Sequence, residues 1–447
     1  MIAVGFEKYG SQEELEQDAI KHLFDVYVKV NKDAEADPNV KVEAAKWFKR
    51  MEDGEEAALV NWRVWRELSI RKYVEQYNRL NVEFDVYNGE SMVGQEWQAK
   101  ALQRLTELGL IIDNEGTKVV DLDRFKLGLA VLRKKGAFPG VRWHLFVIYF
   151  KLCNERTDGT SIYLTRDIGG AIERYEKYKF DKMIYVVSSQ QDLHLAQFFK
   201  VLELMEFPWA KDLVHVNYGL VQGMSTRKGN VVFLDDIIKE AARVMYEQMK
   251  SNEEKFAAVE DPETVSREIG ITGVKIQDMA AKRCVFQRYR DRQWDFLILI
   301  QNCRINNYPF DWARVRSFEG DTGPYLQYAH VRLASIGRKN PHLLPLPPPS
   351  QIETDSLAGM PHAREIVFLL GTYPDVIRTA LRTHEASGVV TFAFRLSHAI
   401  SSAWETVVVK GEEDVGKARA RMWLYECARE VLAAAMRLLS IRPLERM

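Results

Sequence analysis

The spacing of hydrophobic residues changes along the chain, and the first part mixes two kinds of pattern. Apolar residues recur every three or four positions over 62–80, for example at Val64 and Leu68, and this period predicts an amphipathic helix. Two runs rich in β-branched and aromatic residues, at 23–30 and 82–87, predict strands instead. The start of the chain is therefore expected to combine helices with short strands.

The middle of the chain predicts strands that alternate with a helix. The apolar run MIYVVS at 183–188 is typical of a buried parallel strand. A helical pattern follows at 194–204 and a second strand at 214–218. A polar loop flanked by glycines, 223–230, leads to the strand-like VVFL at 231–234. This order predicts a doubly wound α/β sheet.

From Asp235 onward the hydrophobic period is mostly helical. A proline-rich segment at 341–349 interrupts this period and predicts a loop. Long amphipathic helices follow it, including one at 419–439. The last part of the chain therefore predicts an all-α bundle.

Composition narrows the classes of protein to consider. The 447 residues are 47% hydrophobic and 28% charged, as is ordinary for a soluble protein of more than one domain. Because the formal net charge is −1, a nucleic-acid surface would need local clusters of basic residues. The four cysteines have no zinc-binding spacing. The N-terminus lacks a secretory pattern, and no apolar run approaches the roughly 20 residues that span a bilayer.

The segment YLTRDIGG at 163–170 combines a hydroxyl group and a carboxylate that suit a guanidinium. A guanidinium is planar and always charged, and a carboxylate binds it in fork geometry. Asp167 and Tyr163 lie four residues apart, so they share one face if the segment is helical. The alternative is structural, with Tyr163 buried and Asp167 capping a helix that begins at Ile168.

Two further segments carry polar side chains where an α/β sheet binds ligands. SSQQDLH at 188–194 directly follows a predicted strand, and ligands bind outside the carboxyl ends of strands. Its alternative is a helix cap, with His194 packed or exposed. The loop GMSTRKGN at 223–230 offers hydroxyls and two adjacent cations that suit a triphosphate, although it is not a P-loop. Its alternative is a solvated basic turn.

Tyr325 and Tyr328 lie about one helical turn apart in the segment FEGDTGPYLQYAH at 318–330. Paired aromatic side chains on an exposed helix face can stack unpaired bases. A stripe that faces the core is the commoner outcome of the same spacing.

Several segments of the chain resemble arginyl-tRNA synthetases and occur in the same order as in that family. They are DVYNGES (85–91), YLTRDIGGAIERY (163–175), SSQQDLHLAQFF (188–199), VNYGLVQGMSTRKGNVVFLD (216–235), FEGDTGPYLQYAHVRL (318–333), LRTHEASGVVTFAFRLSHAISSAW (381–404) and MRLLSIRPLERM (436–447). The resemblance implies a class I synthetase. Such an enzyme forms arginyl-adenylate from arginine and ATP and transfers the arginyl group to the 3′-terminal adenosine of tRNA(Arg).

The resemblance also implies roles for individual residues. Tyr163 and Asp167 would hold the guanidinium of arginine. Gln191 would face its α-amino group, and Glu90 would line the same pocket. The residues of the mobile loop that contacts ATP would be Met224, Ser225, Thr226, Arg227 and Lys228. The residues that contact the anticodon would be Tyr325, Tyr328, Trp404 and Met447.

The implied fold class is an α/β Rossmann-type catalytic domain, incomplete, followed by an all-α helical-bundle anticodon-binding domain. The predicted divisions are a remnant of a connective insertion at 1–61, the partial catalytic domain at 62–235 with an insertion around 91–162, and the helical domain at 236–447. The expected partners are L-arginine, ATP with Mg²⁺, and tRNA(Arg), with no metal site, tightly bound cofactor or membrane contact. The chain is expected to be monomeric and cytoplasmic, with a mitochondrial location as the alternative.

The sequence departs from the family pattern in three places. The HxGH element would lie upstream of residue 1, so the chain is expected to be truncated at its N-terminus and inactive alone. A non-catalytic tRNA-binding fragment is the alternative function, and a different class I synthetase is a more distant one. Segments 136–156 and 284–304 interrupt stretches that are continuous in the family. They are predicted to be retained introns translated in frame.

Overall fold

The structure is a computed structural model that divides into two compact units. The residues it describes are 1–114, 117–133, 163–219, 232–282, 312, 317 and 320–447, without the side chains of Glu52, Arg133, Tyr163 and Lys255. The predicted ATP loop and both predicted intron segments lie outside these residues. One unit is Val86–Leu220, and the other joins Met1–Asp85 to Val221–Met447.

The larger unit begins with five helices. They are α1 (Ile2–Tyr9), α2 (Gln12–Gln17), α3 (Ala19–Ala36), α4 (Asn39–Glu52) and α5 (Glu56–Arg79). Residues 23–30 lie inside α3, so the prediction of a strand there is wrong. Helix α3 buries His22, Val26 and Val30 among others, and this four-residue spacing lets one helix face pack against its neighbours. The period of the apolar residues, and not their β-branching, therefore decided the structure.

The helix predicted at 62–80 is confirmed, although α5 begins earlier, at Glu56. The strand predicted at 82–87 is wrong, because this segment contains no strand. The chain turns at Asn81 with φ of 54°, and the ring of Phe84 then packs edge-on against Tyr77, with centroids 4.8 Å apart. The segment is therefore folded back onto the end of its own helix.

In its described residues, the smaller unit has two sheets and three α-helices. Its elements are α6 (Gln95–Glu107), β1 (Ile112–Asn114), β2 (Thr117–Asp121), β3 (Leu129–Arg133), α7 (Tyr163–Tyr178), β4 (Met183–Ser188), α8 (Asp192–Leu204) and β5 (Leu213–Tyr218). Strands β1, β2 and β3 form an antiparallel sheet in that order. Strands β4 and β5 pair in parallel, with Met183 opposite Leu213. The strands predicted at 183–188 and 214–218 and the helix between them are confirmed.

Helix α7 is anchored on both sides of its second turn. A Cβ atom at Gly169 would lie 3.0 Å from the backbone nitrogen of Gln98 in α6, so glycine permits this close approach. The buried hydroxyl of Thr165 donates to the carbonyl of Leu132 at 2.9 Å. Because α7 begins at Tyr163, Asp167 lies inside the helix and does not cap it, so the capping part of that alternative is wrong. Its other part, a buried Tyr163 side chain, lies outside the described residues.

The described remainder of the larger unit is helical, as predicted. Its helices are α9 (Leu234–Lys250), α10 (Glu253–Ala257), α11 (Pro262–Met279), α12 (Gly323–Lys339), α13 (Asp355–Ala358), α14 (Pro361–Thr383), α15 (Ala386–Ala403) and α16 (Val415–Leu438). The segment 341–349 is irregular apart from single turns of 3-10 helix. The strand predicted at 231–234 is wrong over its described part, since Phe233 is the N-cap of α9.

The predicted domain boundaries at 61/62 and 235/236 fall within continuous helices, α5 and α9. Within the larger unit, the N-terminal helices also contact α9 directly. The rings of Phe24 and Phe233 meet edge-on with centroids 5.3 Å apart, and Arg79 forms an ion pair with the nearly buried Asp235. The N-terminal helices therefore pack with α9 in one compact unit.

Candidate functional site

A cavity in the smaller unit brings together two of the predicted substrate residues. Its lining residues are Asn88, Gly89, Glu90, Val93, Arg166, Asp167 and Arg174. Asp167 comes from the second turn of α7, and Glu90 from a turn of 3-10 helix, Glu90–Met92, that precedes α6. Two carboxylates from distant parts of the sequence thus face one space.

The carboxylate of Asp167 is held by a histidine from the neighbouring helix. Nε2 of His194, in the first turn of α8, lies 2.6 Å from Oδ2 of Asp167. The two side chains are 28% and 35% exposed, so the pair borders the cavity and reaches solvent. The sequence indicated only a packed or exposed histidine. The one signal that could have found this contact is the position of His194 just after the ligand-binding end of a strand.

Charged groups of both signs line the cavity. The guanidinium of Arg166 lies 3.6 Å from a carboxylate oxygen of Glu90. Arg174 lies two turns beyond Asp167 on α7 and donates to the hydroxyl of Tyr185 at 3.2 Å. Burial raises the pKa of the Tyr185 phenol, so this hydroxyl stays neutral. The lining of the cavity therefore combines two carboxylates, each with a partner, and two guanidinium groups.

Gln191 lies near this region but does not line the cavity. It ends a single turn of 3-10 helix, Ser189–Gln191, between β4 and α8, and its side chain is exposed. The next residue, Asp192, accepts two hydrogen bonds from Nδ2 of Asn217 in β5, at 3.0 and 3.2 Å. The start of α8 is therefore tied to the carboxyl ends of both parallel strands. Tyr163 opens α7, and its side chain lies outside the described residues.

Three of the residues predicted to contact RNA lie on α12 and at the end of α15. Tyr328 is 43% exposed. The guanidinium of Arg332 lies 5.4 Å from the ring centroid of Tyr328 and 4.0 Å from that of Trp404. Tyr328, Arg332 and Trp404 thus form an aromatic–cation cluster at the surface.

Tyr325 is half-buried, and it bonds to the adjacent helix. Its hydroxyl lies 3.0 Å from Oγ of Ser401, and its ring stacks on His398 with centroids 5.3 Å apart. The next core positions of α12, Leu326 and Ala329, are buried. The two tyrosines therefore differ: Tyr325 packs between helices, and Tyr328 faces outward.

The C-terminal segment is held against α12 by buried polar side chains. Gln327 is fully buried; its Nε2 donates to the carbonyl of Arg442 at 2.9 Å, and its Oε1 accepts from the backbone of Leu444 at 3.0 Å. Nδ1 of His330 lies 2.8 Å from the carbonyl of Leu444, and burial lowers the pKa of this imidazole. Met447 packs against a cluster that contains Leu444, separate from the aromatic–cation cluster.

Comparison with known proteins gives the family. Residues 1–289 match the family described as tRNA synthetases class I (R), catalytic domain. Residues 326–447 match the DALR anticodon binding domain. The whole chain is 48% identical to the cytoplasmic arginine–tRNA ligase of Saccharomyces cerevisiae and covers 68% of that protein. The chain belongs to the arginine–tRNA ligase family.

Two further members of the arginine–tRNA ligase family are similar to this chain, one in sequence and one in structure. The mitochondrial arginine–tRNA ligase of Saccharomyces cerevisiae is 41% identical over all of this chain, which covers 64% of it. The crystal structure of arginyl-tRNA synthetase from Plasmodium falciparum matches with a TM-score of 0.73 at 17% identity, over 99% of this chain and 67% of that one. At this identity the structural likeness concerns the fold alone.

The two sites fall in different matched regions of this arginine–tRNA ligase family member. The cavity with Asp167 and Glu90 lies in the part matched by the class I catalytic domain. Tyr328, Trp404 and Met447 lie in the part matched by the anticodon binding domain. Among the described residues, no group of three or more histidine, cysteine or acidic side chains could hold a metal ion, and no helix could cross a membrane.

Proposed function

We propose that this chain is an arginine–tRNA ligase. In the first step the carboxylate of L-arginine attacks the α-phosphorus of ATP, which gives arginyl-adenylate and releases pyrophosphate. In the second step the 3′-terminal adenosine of tRNA(Arg) takes the arginyl group and AMP leaves. The observation that carries the proposal is the pair of carboxylates, Asp167 and Glu90, that face one cavity within the catalytic match.

In this proposal the cavity binds the guanidinium of the substrate. Asp167 accepts N–H bonds from it in fork geometry, and Tyr163 adds a hydroxyl contact. Glu90 contributes a second carboxylate, which the guanidinium shares with Arg166. Gln191, at the carboxyl end of β4, faces the α-amino group. We attribute selection of a cation over a neutral amino acid of the same shape to these two carboxylates, because a neutral group would not form the charge-assisted hydrogen bonds that a guanidinium forms with them.

The triphosphate is assigned to the loop between β5 and α9. Its residues Met224, Ser225, Thr226, Arg227 and Lys228 offer hydroxyls and cations. The cations would neutralise charge that develops on the departing pyrophosphate. Mg²⁺ accompanies ATP as part of this substrate, and no resident cofactor is proposed.

The anticodon of the tRNA is assigned to Tyr325, Tyr328, Trp404 and Met447. The supporting observation is the cluster of Tyr328, Arg332 and Trp404, in which Tyr328 is exposed and the half-buried Arg332 lies beside both aromatic rings. Such a surface stacks unpaired bases and attracts phosphate. This assignment places anticodon recognition in the helical domain and amino-acid activation in the preceding catalytic domain.

The chain is proposed to act as a monomer in the cytoplasm. The cytoplasmic relative from Saccharomyces cerevisiae has the higher identity, 48% against 41% for the mitochondrial one. Fractionation of cells that express the chain with a C-terminal tag distinguishes the two compartments, and sedimentation analysis measures the oligomeric state.

The deciding experiment is arginine-dependent ATP–pyrophosphate exchange in the presence of tRNA(Arg), compared with the other nineteen amino acids. Asp167→Asn keeps the shape of the side chain and removes its charge. Loss of one partner of a desolvated charge pair costs about 2–5 kcal/mol. In a version of the chain extended upstream, arginine activation should therefore fall at least tenfold while tRNA binding is retained.

The matched control is Asp181→Asn, an exposed aspartate in the turn between α7 and β4 that lies outside the cavity. Its activity should equal that of the unsubstituted chain. An unchanged KM and kcat for arginine in Asp167→Asn would remove Asp167 from the site. Binding of tRNA without any arginine activation, in the extended version as well as in the unextended chain, would support the alternative function, a non-catalytic tRNA-binding protein of the same family.

A further inference from the structure

The bond between His194 and Asp167 joins two helices whose backbones are already held in place. On α7, Thr165 is bonded to Leu132 and Gly169 packs against the backbone of α6, and these contacts flank Asp167 on both sides. The helix therefore does not need His194 to keep its position. What the 2.6 Å contact restrains is the carboxylate of Asp167 itself.

The histidine stands on an equally well-anchored turn. The first turn of α8 follows β4 through the single 3-10 turn that ends at Gln191, and Asp192 is bonded to Asn217 at the end of β5. His194 therefore has a set position relative to the carboxyl ends of both strands. Through its bond to Asp167, it also sets the distance from that carboxylate to this end of the sheet.

We propose that His194 is a positioning residue that determines the length of the amino acid that the cavity accepts. The inference rests on the proposed function, in which Asp167 binds the guanidinium and the end of β4 faces the α-amino group. An amino acid that bridges these two points must match the distance between them. His194 makes that distance rigid.

The chemistry of the pair supports this role. A carboxylate oxygen only accepts, so Nε2 of His194 donates its N–H to Oδ2 of Asp167. Among the described side chains, none bonds to Oδ1, so Oδ1 and the remaining lone pair of Oδ2 can accept from the substrate. Without the histidine, the carboxylate could rotate about its side-chain bonds and follow a guanidinium on a longer or shorter chain. Restraint of a binding group in its productive geometry is the usual source of such discrimination.

The test compares three ligands that differ by one methylene each: L-arginine, L-homoarginine and L-2-amino-4-guanidinobutyrate. Equilibrium dialysis with the full chain measures the Kd of each. One methylene in a fitted pocket discriminates by roughly 10–200-fold. In His194→Leu the preference for arginine over the other two should fall by about tenfold.

Substitutions at the same position separate hydrogen bonding from packing. His194→Gln places an amide N–H near the position of Nε2 and should restore the preference. His194→Asn places it near Nδ1, too far from Asp167, and should behave as His194→Leu does. Glu203→Gln, an exposed change on the same helix, should match the unsubstituted chain.

The outcomes distinguish this inference from the function on which it rests. Equal weakening of all three ligands in His194→Leu, with unchanged preference, means a purely structural histidine and overturns the inference alone. Unchanged Kd values in that variant do the same. Failure of the unsubstituted chain to bind L-arginine, or unchanged binding in Asp167→Asn, contradicts the proposed site itself.

Discussion

Tyr325 and Tyr328 show how one helical turn separates a packed side chain from a surface one. The hydroxyl of Tyr325 hydrogen-bonds with Ser401, and its ring stacks on His398. Tyr328 is 43% exposed and lies beside Arg332. The sequence pattern does not distinguish the two tyrosines, but in the structure only Tyr328 has an exposed ring. Tyr328 is therefore the better candidate for stacking a base.

At this scale we expect Tyr328→Ala and Trp404→Ala each to weaken tRNA binding. Loss of one stacking partner costs roughly 1–3 kcal/mol, which corresponds to about a 5- to 150-fold rise in Kd. Trp404→Ala also removes the nearest ring from Arg332. Fluorescence titration at constant salt measures the Kd. Tyr178→Ala, an exposed tyrosine of α7, is the control, and equal affinity of all three variants would refute the anticodon assignment.

Helices α11 and α12 approach each other more closely than side chains normally allow. A Cβ atom at Gly323 would lie 2.5 Å from the backbone nitrogen of Gly273, and backbone atoms cannot rotate aside. The start of α12 is also fixed by Thr322, whose hydroxyl accepts from the backbone of Tyr325 at 3.4 Å. Gly323 is therefore required by the close packing of α12 against α11.

At the scale of elements, we predict that two glycine-to-alanine substitutions change the free energy of unfolding in opposite directions. Gly323→Ala should lower the free energy of unfolding by about 1–3 kcal/mol, the usual cost of overpacking. Gly371→Ala lies in α14 with no atom within 4 Å of the added Cβ, and should raise it by about 0.5–1 kcal/mol, since alanine favours helix. Urea midpoints measure both. An increase in the free energy of unfolding for Gly323→Ala would show that helix propensity outweighs packing at that position.

Across the larger unit, Lys275 joins three parts of the chain. From α11, its amino group donates to the carbonyl of Leu80 at the end of α5 and, at 2.8 Å, to that of Ser440 beyond α16. Burial lowers the pKa of this amino group from 10.5 to about 8. At a pH between these two values, the Lys275 amino group is protonated in the unfolded chain and neutral in the folded chain. Stability contributed by this group therefore rises as pH increases from about 8 to 10.5.

The corresponding prediction is that Lys275→Met flattens the pH dependence of stability in that window. One proton of linkage amounts to about 1.4 kcal/mol per pH unit at most, and solvent contact with this partly exposed amino group reduces the effect. The free energy of unfolding is measured for both chains at several pH values, and the slopes against pH are compared. Taking the difference between the slopes removes the contribution of the other titrating groups, which both chains share. Parallel curves would mean that Lys275 keeps its proton in the folded chain.

The sequence by itself determined the features that depend on neighbouring residues. The apolar period predicted α5 and α16, and the short β-branched runs before polar residues predicted β4 and β5. The type of chemistry was also local, because the carboxylate of Asp167 and its position after a hydroxyl residue are visible in one segment. The predictions of these helices and strands were confirmed where one physical rule, the period of the buried face, had no competitor.

The tertiary structure decided which of these residues meet. His194 contacts Asp167 across 27 positions, and Lys275 reaches Leu80 across 195, and no local spacing records such pairs. It also decided that residues 23–30 are helical, because β-branched composition is a weak preference that packing of one face against neighbouring helices overrides. The burial of a group, its contacts and the shift of its pKa depend on atoms from distant parts of the sequence. They are therefore set only once the chain has folded.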